Sequence, residues 1–294
     1  MKHLYLLAAA LLALAPRAHA QQVPPIPTDS TVKVIDTPAG YTTQLNTVYS
    51  KVGPWDGRVD LYLNTDSRKP VPVIINLHGG GWNKGTKESQ SGFNGFFKQG
   101  WSVANVEYRL STYAPAPAAV EDVRCAIIYL ITNAKKLNID PSRIVIMGSS
   151  SGGHLALVGG LLENDHVFDT QCPTKETVKL RAIIDKYGIA DVPQWNSKSA
   201  TQWLGSHASD AAFVRSVSPL YMVKKTSPPT FIVHGDADPT VPYEQSVALH
   251  KAYVAAGVPT EFITIAGGQH GKFSKDDNKR VNEAIIRFLK AQGL

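Results

Sequence analysis

Apolar positions along the chain change their period near residue 70. In the run Arg58–Leu63, Val59, Leu61 and Leu63 fall on every second residue, after an earlier β-rich run at Thr47–Val52. A period of two predicts strands with one buried face, here an antiparallel opening to a sheet. Further on the runs carry apolar residues at successive positions, on both faces: Val71–Leu77, Ser102–Val106, Arg143–Met147, Ala182–Ile184, Thr230–Val233 and Glu261–Ile265. Runs buried on both faces fit parallel strands in the middle of a covered sheet. Between them helical patterns are predicted at Ser89–Gln99, Ala116–Leu137, Gly152–Leu162, Tyr243–Ala256 and Asp276–Ala291. In the second of these, Val120, Val123, Ile127, Leu130 and Ile131 recur at spacings of three and four, which gives one apolar face. Strands alternating with helices predict an α/β domain whose mostly parallel sheet is flanked by helices.

Three stretches stand outside that alternation. Met1-Lys2-His3, the Leu/Ala-rich Leu4–Leu14 and Ala18-His19-Ala20 read as a signal peptide over residues 1–20, with a basic start, an apolar middle and a small-x-small cleavage site. The apolar part falls short of the roughly 20 residues that a membrane helix needs, so no stable membrane anchor is expected and the mature protein is placed outside the cytoplasm, secreted or periplasmic. Residues 21–42, beginning Gln-Gln-Val-Pro-Pro-Ile-Pro, read as an extended leader, and residues 43–294 as one domain. Within it, residues 189–226 hold Trp195, Trp203 and Tyr221 between two predicted strands. A connection of that length is either a small cap insertion or an irregular, rigid segment carrying core aromatics.

Charge narrows the functions without selecting one. The formal charge is +6, with Lys2 and Arg17 in the signal segment, and no run of like charges gathers it. Nucleic acid is therefore not an expected partner. The two cysteines, Cys125 and Cys172, would persist as a disulfide in an oxidising compartment. Sequence alone leaves open whether they pair or stay separate, and without a His/Cys cluster they make no zinc site.

The chemistry lies in the loops after the predicted strands. Gly148-Ser149-Ser150-Ser151-Gly152 follows the run ending at Met147 and opens a helix, the strand–turn–helix context in which G-x-S-x-G exposes its middle serine as a nucleophile. Only Ser150 has glycines at both required positions. His78-Gly79-Gly80-Gly81-Trp82 follows another strand. Its glycines leave backbone N–H groups unhindered, and those of Gly80 and Gly81, with that of Ser151, are the candidate donors to an oxyanion. An acid and a base must come later in the chain, in that order. Asp238 in His234-Gly-Asp-Ala-Asp238-Pro-Thr-Val-Pro242 and His270 in Gly267-Gly-Gln-His270-Gly271 meet that requirement, with Asp236 as the competing acid. His154, four residues past the serine, reads as a packing or hydrogen-bonding group, His78 as a residue that shapes the glycine loop, and His234 only as the residue that opens the acid loop.

Taken jointly, His78-Gly-Gly-Gly-Trp82, Gly148-x-Ser-x-Gly152-Gly-His-Leu-Ala156, Tyr187-Gly-x-x-Asp191, His234-Gly-x-x-Asp238-x-x-Val-Pro242 and His270-Gly271 resemble the α/β-hydrolase esterase and lipase family, and within it the bacterial carbohydrate and feruloyl esterase-like branch. The resemblance covers about residues 43–292. It implies the α/β-hydrolase fold, Ser150, Asp238 and His270 as a catalytic triad, and hydrolysis of a carboxylic ester through an acyl-enzyme, with no metal or organic cofactor. The implied partner is a small-molecule or oligosaccharide ester of acetyl or feruloyl type. A broad short-chain carboxylesterase, an amide or formamide hydrolase and a peptidase remain alternatives on the same fold. Trp82, Tyr187, Trp195 and Trp203 are the candidate substrate-binding rings, since each stands near a loop that must border Ser150. Oligomeric state stays open.

Overall fold

The computed structural model describes residues 35–195 and 197–294. The expected signal peptide and the leader up to residue 34 lie outside the described residues. Eight strands form one sheet: β1 (Tyr41–Val52), β2 (Trp55–Asn64), β3 (Val71–Leu77), β4 (Ser102–Val106), β5 (Ile139–Ser149), β6 (Ala182–Lys186), β7 (Thr230–Gly235) and β8 (Thr260–Ile265). Their spatial order is β1-β2-β4-β3-β5-β6-β7-β8. β1 with β2 and β2 with β4 pair antiparallel, and β3 to β8 pair parallel. Every residue of β3 and of β4 is buried, as runs apolar on both faces require. This is the α/β-hydrolase arrangement, with an antiparallel edge on a parallel sheet.

Helices cover both faces, as the alternation predicts. On one face α2 (Ala118–Thr132), α4 (Ser151–Leu161) and α7 (Glu244–Ala255) pack Val120, Leu155 and Leu249 against Val73, Ile75 and Ile146. On the other, α1 (Asn94–Phe97) and α8 (Lys275–Ala291) bring Phe96, Phe97, Ile285 and Phe288 against Ile74, Val145 and Phe231. Alternate residues of one strand thus serve two cores. Each such fully buried aliphatic chain contributes about 1.5–3 kcal/mol.

Three boundaries differ from the sequence reading. The helix expected at Ser89–Gln99 shrinks to a 3-10 turn at Lys87–Ser89 and the single turn of α1, because Gly92 sits at φ +92° and breaks the backbone between them. The long helix Ala116–Leu137 divides at Asn133 into α2 and α3 (Ala134–Leu137). β1 begins at Tyr41, inside the expected leader, and residues 42–46 are exposed on both faces. An edge strand without a buried face leaves no period of two to detect.

Residues 164–180, which match no recognised pattern in the sequence, are tied to α2. Cys125 and Cys172 form a disulfide across a Cα separation of 5.5 Å. One residue away, Arg124 donates from Nε and Nη2 to both carboxylate oxygens of Asp169, at 2.7 and 2.8 Å, with both side chains buried. Residues 189–226 hold α5 (Lys198–Leu204), α6 (Ala211–Ser216) and 3-10 turns at Gly205–Ser209 and Pro219–Tyr221. Val214 and Val217 of that segment reach the core.

Candidate active site

Chain direction in a parallel sheet brings the loops after β3, β5, β6, β7 and β8 to one edge. At that edge Ser150 lies between β5 and α4 with φ +55° and ψ −124°. Such a conformation costs a side-chain-bearing residue about 1–3 kcal/mol, and the surroundings hold it. Its N–H donates to the Lys186 carbonyl at 2.9 Å, and its own carbonyl accepts from the His154 N–H at 3.0 Å. The flanking glycines are required by close approach. A Cβ on Gly148 would meet the Gly152 carbonyl, and one on Gly152 would meet the carbonyls of Leu77 and His78.

His270 faces the serine from the loop after β8. Its Nε2 lies 2.9 Å from Ser150 Oγ and its Nδ1 2.6 Å from Asp238 Oδ2. A carboxylate can only accept, so Nδ1 carries the proton and Nε2 is free to take one from the serine. Asp238 is fully enclosed, whereas His270 keeps about a fifth of its side chain exposed. Burial alone would raise the Asp238 carboxyl. The hydrogen bond from His270 and those from the N–H groups of Thr240 (2.7 Å) and Val241 (3.0 Å) outweigh it and hold the group below its ordinary value. Asp236, the competing acid, is exposed and accepts instead from the Gly267 N–H at 2.6 Å.

The sequence reading gave His234 no role in the acid's environment. Its Nε2 lies 3.1 Å from both Asp238 Oδ2 and the Val241 carbonyl, two acceptors, so Nε2 carries the proton and Nδ1 accepts from Ser246 Oγ at 2.8 Å. Burial lowers its pKa and keeps the ring neutral. Asp238 therefore has four donors, two on each oxygen. The four-residue spacing from His234 to Asp238 was the available signal.

The glycine loop passes against the nucleophile: a Cβ on Gly79 would stand 3.3 Å from that of Ser150. Gly80, Gly81 and Trp82 all have positive φ, at 129°, 61° and 58°. His78 Nδ1 donates to the Gly79 carbonyl at 2.8 Å and Tyr108 Oη donates to the His78 carbonyl at 2.8 Å, with the two rings stacked. Burial pushes the His78 imidazole down to about 4, so it shapes the loop as a neutral group. Downstream, the buried Lys87 ammonium lies 2.9 Å from Asp60 on β2, and its carbonyl accepts from Asn105 Nδ2. The backbone N–H groups of Gly80, Gly81 and Ser151 donate to no protein acceptor among the described residues. They are available to a ligand oxygen.

The four candidate substrate rings separate. Trp82 and Trp203 are fully buried and stacked on each other, with centroids 4.7 Å apart. Neither offers a face to a ligand, which corrects their expected role. A tryptophan beside a catalytic loop carries the same sequence signal whether it lines the cavity or fills the core beneath it. Trp195 is also buried, and its Nε1 donates to the Thr240 carbonyl behind Asp238 at 3.1 Å. Only Tyr187 is partly exposed, edge-on to His270 at 4.9 Å. His154 joins the tryptophans to the elbow, the tight turn between β5 and α4 that carries Ser150: Nδ1 accepts from Trp82 Nε1 at 3.3 Å and Nε2 donates to the Val217 carbonyl at 2.8 Å. Burial lowers it to about 4, so it is a neutral strut. Trp203→Ala is accordingly expected to cost about 3–5 kcal/mol of stability, read from urea unfolding, while the ratio of aryl to alkyl ester turnover in the folded fraction stays unchanged. A shifted ratio with full stability would return the ring to the substrate pocket.

One side of the loop is covered by α5. Ser199 Cβ would lie 3.3 Å from a Cβ on Gly81, and Asn83 Nδ2 donates to Gln202 Oε1 at 3.0 Å. The segment 189–226 therefore rests directly on the glycine loop.

Comparison with known proteins agrees with this geometry. The BD-FAE family profile matches residues 59–253, a span that includes Ser150 and Asp238 and stops before His270. The chain is 27% identical to "Esterase LipC" of Mycobacterium tuberculosis (strain ATCC 25618 / H37Rv) over 75% of its own length and 58% of that protein. It thus spans less than two thirds of that relative. Among solved structures, a truncated carbohydrate esterase from gut microbiota superposes with a TM-score of 0.76 at 28% identity, covering 87% of this chain and all of that one. An acetyl ester-xyloside bifunctional hydrolase from Caldicellulosiruptor lactoaceticus does so with a TM-score of 0.75 at 26% identity, over 87% of this chain and 98% of that one.

Proposed function

The chain belongs to the BD-FAE family, bifunctional carbohydrate and feruloyl esterases of the α/β-hydrolase fold, and from that premise we propose that it is a serine carboxylic-ester hydrolase acting on acetyl or feruloyl esters of carbohydrate. The observation that carries this reading is the continuous line of hydrogen bonds from Ser150 Oγ through His270 to Asp238, set beside a glycine loop with free N–H donors.

In this reading His270 Nε2 takes the Ser150 proton as Oγ attacks the ester carbonyl. The carbonyl oxygen becomes an oxyanion held by the N–H groups of Gly80, Gly81 and Ser151. His270, now an imidazolium stabilised by Asp238, returns the proton to the leaving alcohol, and the acyl group remains on Ser150. Water, activated by the same imidazole, attacks the acyl-enzyme and releases the acid.

Export accompanies this proposal. It is supported by the signal-type pattern of residues 1–20 and by the Cys125–Cys172 disulfide, a bond favoured in oxidising compartments. The substrate class is supported by the family and by the carbohydrate esterase structures it resembles. Tyr187, half-buried beside His270, is the one candidate ring left to border an acyl group.

The test is release of acetate and ferulate from a plant cell-wall fraction, run beside p-nitrophenyl acetate, methyl ferulate and an aryl formamide. Ester turnover well above amide turnover, with acetate or ferulate released from the polymer, is the expected result. Amide turnover outpacing ester turnover would overturn it.

A further inference from the structure

One buried carboxyl group has no part in the triad. Asp185 is the penultimate residue of β6, and its side chain is fully buried. Oδ1 accepts a single hydrogen bond, from the Gly188 N–H at 3.0 Å, and Oδ2 has no partner. Its surroundings are specific. A Cβ on Gly153, in the first turn of α4, or on Gly188 would overlap Asp185 Oδ1. The carboxyl is therefore wedged between the helix that carries Ser150 and the turn that leaves β6.

That turn contains Tyr187. The bond from Gly188 to Asp185 spans three residues and closes a loop in which Tyr187 takes φ +47°, a conformation unusual for a bulky side chain. The consequence is placement of its ring edge-on to His270 and of its hydroxyl over Gly271, so close that a Cβ there would stand 2.6 Å from it. Lys186, between Asp185 and Tyr187, supplies the carbonyl that holds the Ser150 N–H.

The geometry points to Asp185 as a positioning residue for the Ser150–His270 pair, buttressing α4 through Gly153 and seating the imidazole through the Gly188 turn and Tyr187. This rests on the esterase reading of the same site. Asp185 acts through its neighbours and touches no reacting atom.

The protonated form of the carboxyl suits this place. Burial raises its pKa to about 7, against the small opposing effect of the Gly188 N–H. The ionisable groups set around it are Lys186, next to it in β6 and lowered by burial, Tyr187 on the turn and Tyr253 on α7, both raised by burial, and His154 on α4, neutral with both ring nitrogens engaged. β5 and β7 present Gly148 and Ile232 beside it, so the neighbouring strands supply no cation, and Lys186, whose side chain alternates to the opposite face of β6, makes no ion pair with it. An unfolded aspartate titrates at about 3.9. The folded protein therefore holds a proton that the unfolded chain has released, and this contribution to stability, full below pH 4, falls away as the pH rises to about 7.

The test uses the full chain with Asp185→Ala and Asp185→Asn, after labelling of the wild type by a fluorophosphonate. No labelling of wild type would sink the reading of the site itself. With labelling present, Asp185→Ala is expected to lower kcat for p-nitrophenyl acetate 10- to 100-fold with KM within twofold, and to slow labelling in parallel. Asp185→Asn keeps an acceptor for Gly188 and no charge. It is expected to retain kcat within threefold at pH 6, and its Tm should gain on that of the wild type as the pH rises from 5 to 7.5. Wild-type kcat in Asp185→Ala would overturn the assignment. So would a tenfold loss in a folded Asp185→Asn at pH 6, or Tm curves that run parallel with pH, and these two outcomes hold even where the alanine variant fails to fold.

Discussion

Ser150→Ala lowers kcat for a soluble ester by about 10⁴- to 10⁶-fold with KM nearly unchanged, the largest single effect expected from any substitution in the site. The size follows from the loss of the acyl-enzyme route. Without Oγ, His270 Nε2 has no nucleophile 2.9 Å away to deprotonate, and water must attack from a position that the elbow does not define. The N–H groups of Gly80, Gly81 and Ser151 remain and polarise the bound ester, so turnover stays above that of the uncatalysed reaction. KM holds because no side chain that encloses the substrate is altered. The folded state should also hold, since the hydrogen bonds that fix this residue run through its backbone N–H and carbonyl and survive the exchange. Steady-state kinetics with burst titration check the prediction. A variant within tenfold of the wild type would remove Ser150 as the nucleophile.

Sequence pattern and structure agree most closely where local chemistry and global fold make the same demand. β3 and β4 are buried at every position because they lie in the middle of the sheet, and their bounds match the runs Val71–Leu77 and Ser102–Val106. Gly148 and Gly152 signal the elbow because carbonyl groups stand where their side chains would be. The geometry that brings Ser150, His270 and Asp238 into line depends on chain order and on which strand ends meet, and both follow from the parallel alternation. What stayed illegible depends on contacts between residues far apart in sequence. Trp82 and Trp203 stack across more than a hundred residues, and no local pattern tells a cavity wall from a core. The division of donors between Asp236 and Asp238 rests on where β8 and its loop pass relative to β7. Asp185 looks like a strand-end polar residue until Gly153 and Gly188 are brought against it. The apolar positions name the layers, but the pairing of polar groups is decided by tertiary approach.

Asp238→Asn is the second large effect, a fall in kcat of about 10²- to 10⁴-fold with the fold retained, and its cause is a mismatch of donors. Oδ1 accepts from the Thr240 and Val241 N–H groups, and Oδ2 from His270 Nδ1 and His234 Nε2. An asparagine must place its NH₂ toward one of these pairs. Turned toward Thr240 and Val241, it sets donor against donor with backbone groups that cannot move. Turned toward the imidazoles, it donates to His270 Nδ1 and drives the proton to Nε2, where it faces Ser150 and removes the base. His234 cannot adapt so readily, because Val241 and Ser246 already fix its tautomer. The second orientation leaves the backbone bonds of the acid loop intact, so it is the one expected, and catalysis carries the loss. Kinetics on p-nitrophenyl acetate, with thermal unfolding of the same preparation, separate the two orientations. A kcat down at least 100-fold with Tm lowered by only a few degrees supports the tautomer argument. Near-wild-type kcat would show that Asp238 does not orient His270, and a protein unfolded at room temperature would show that its main task is to hold the acid loop.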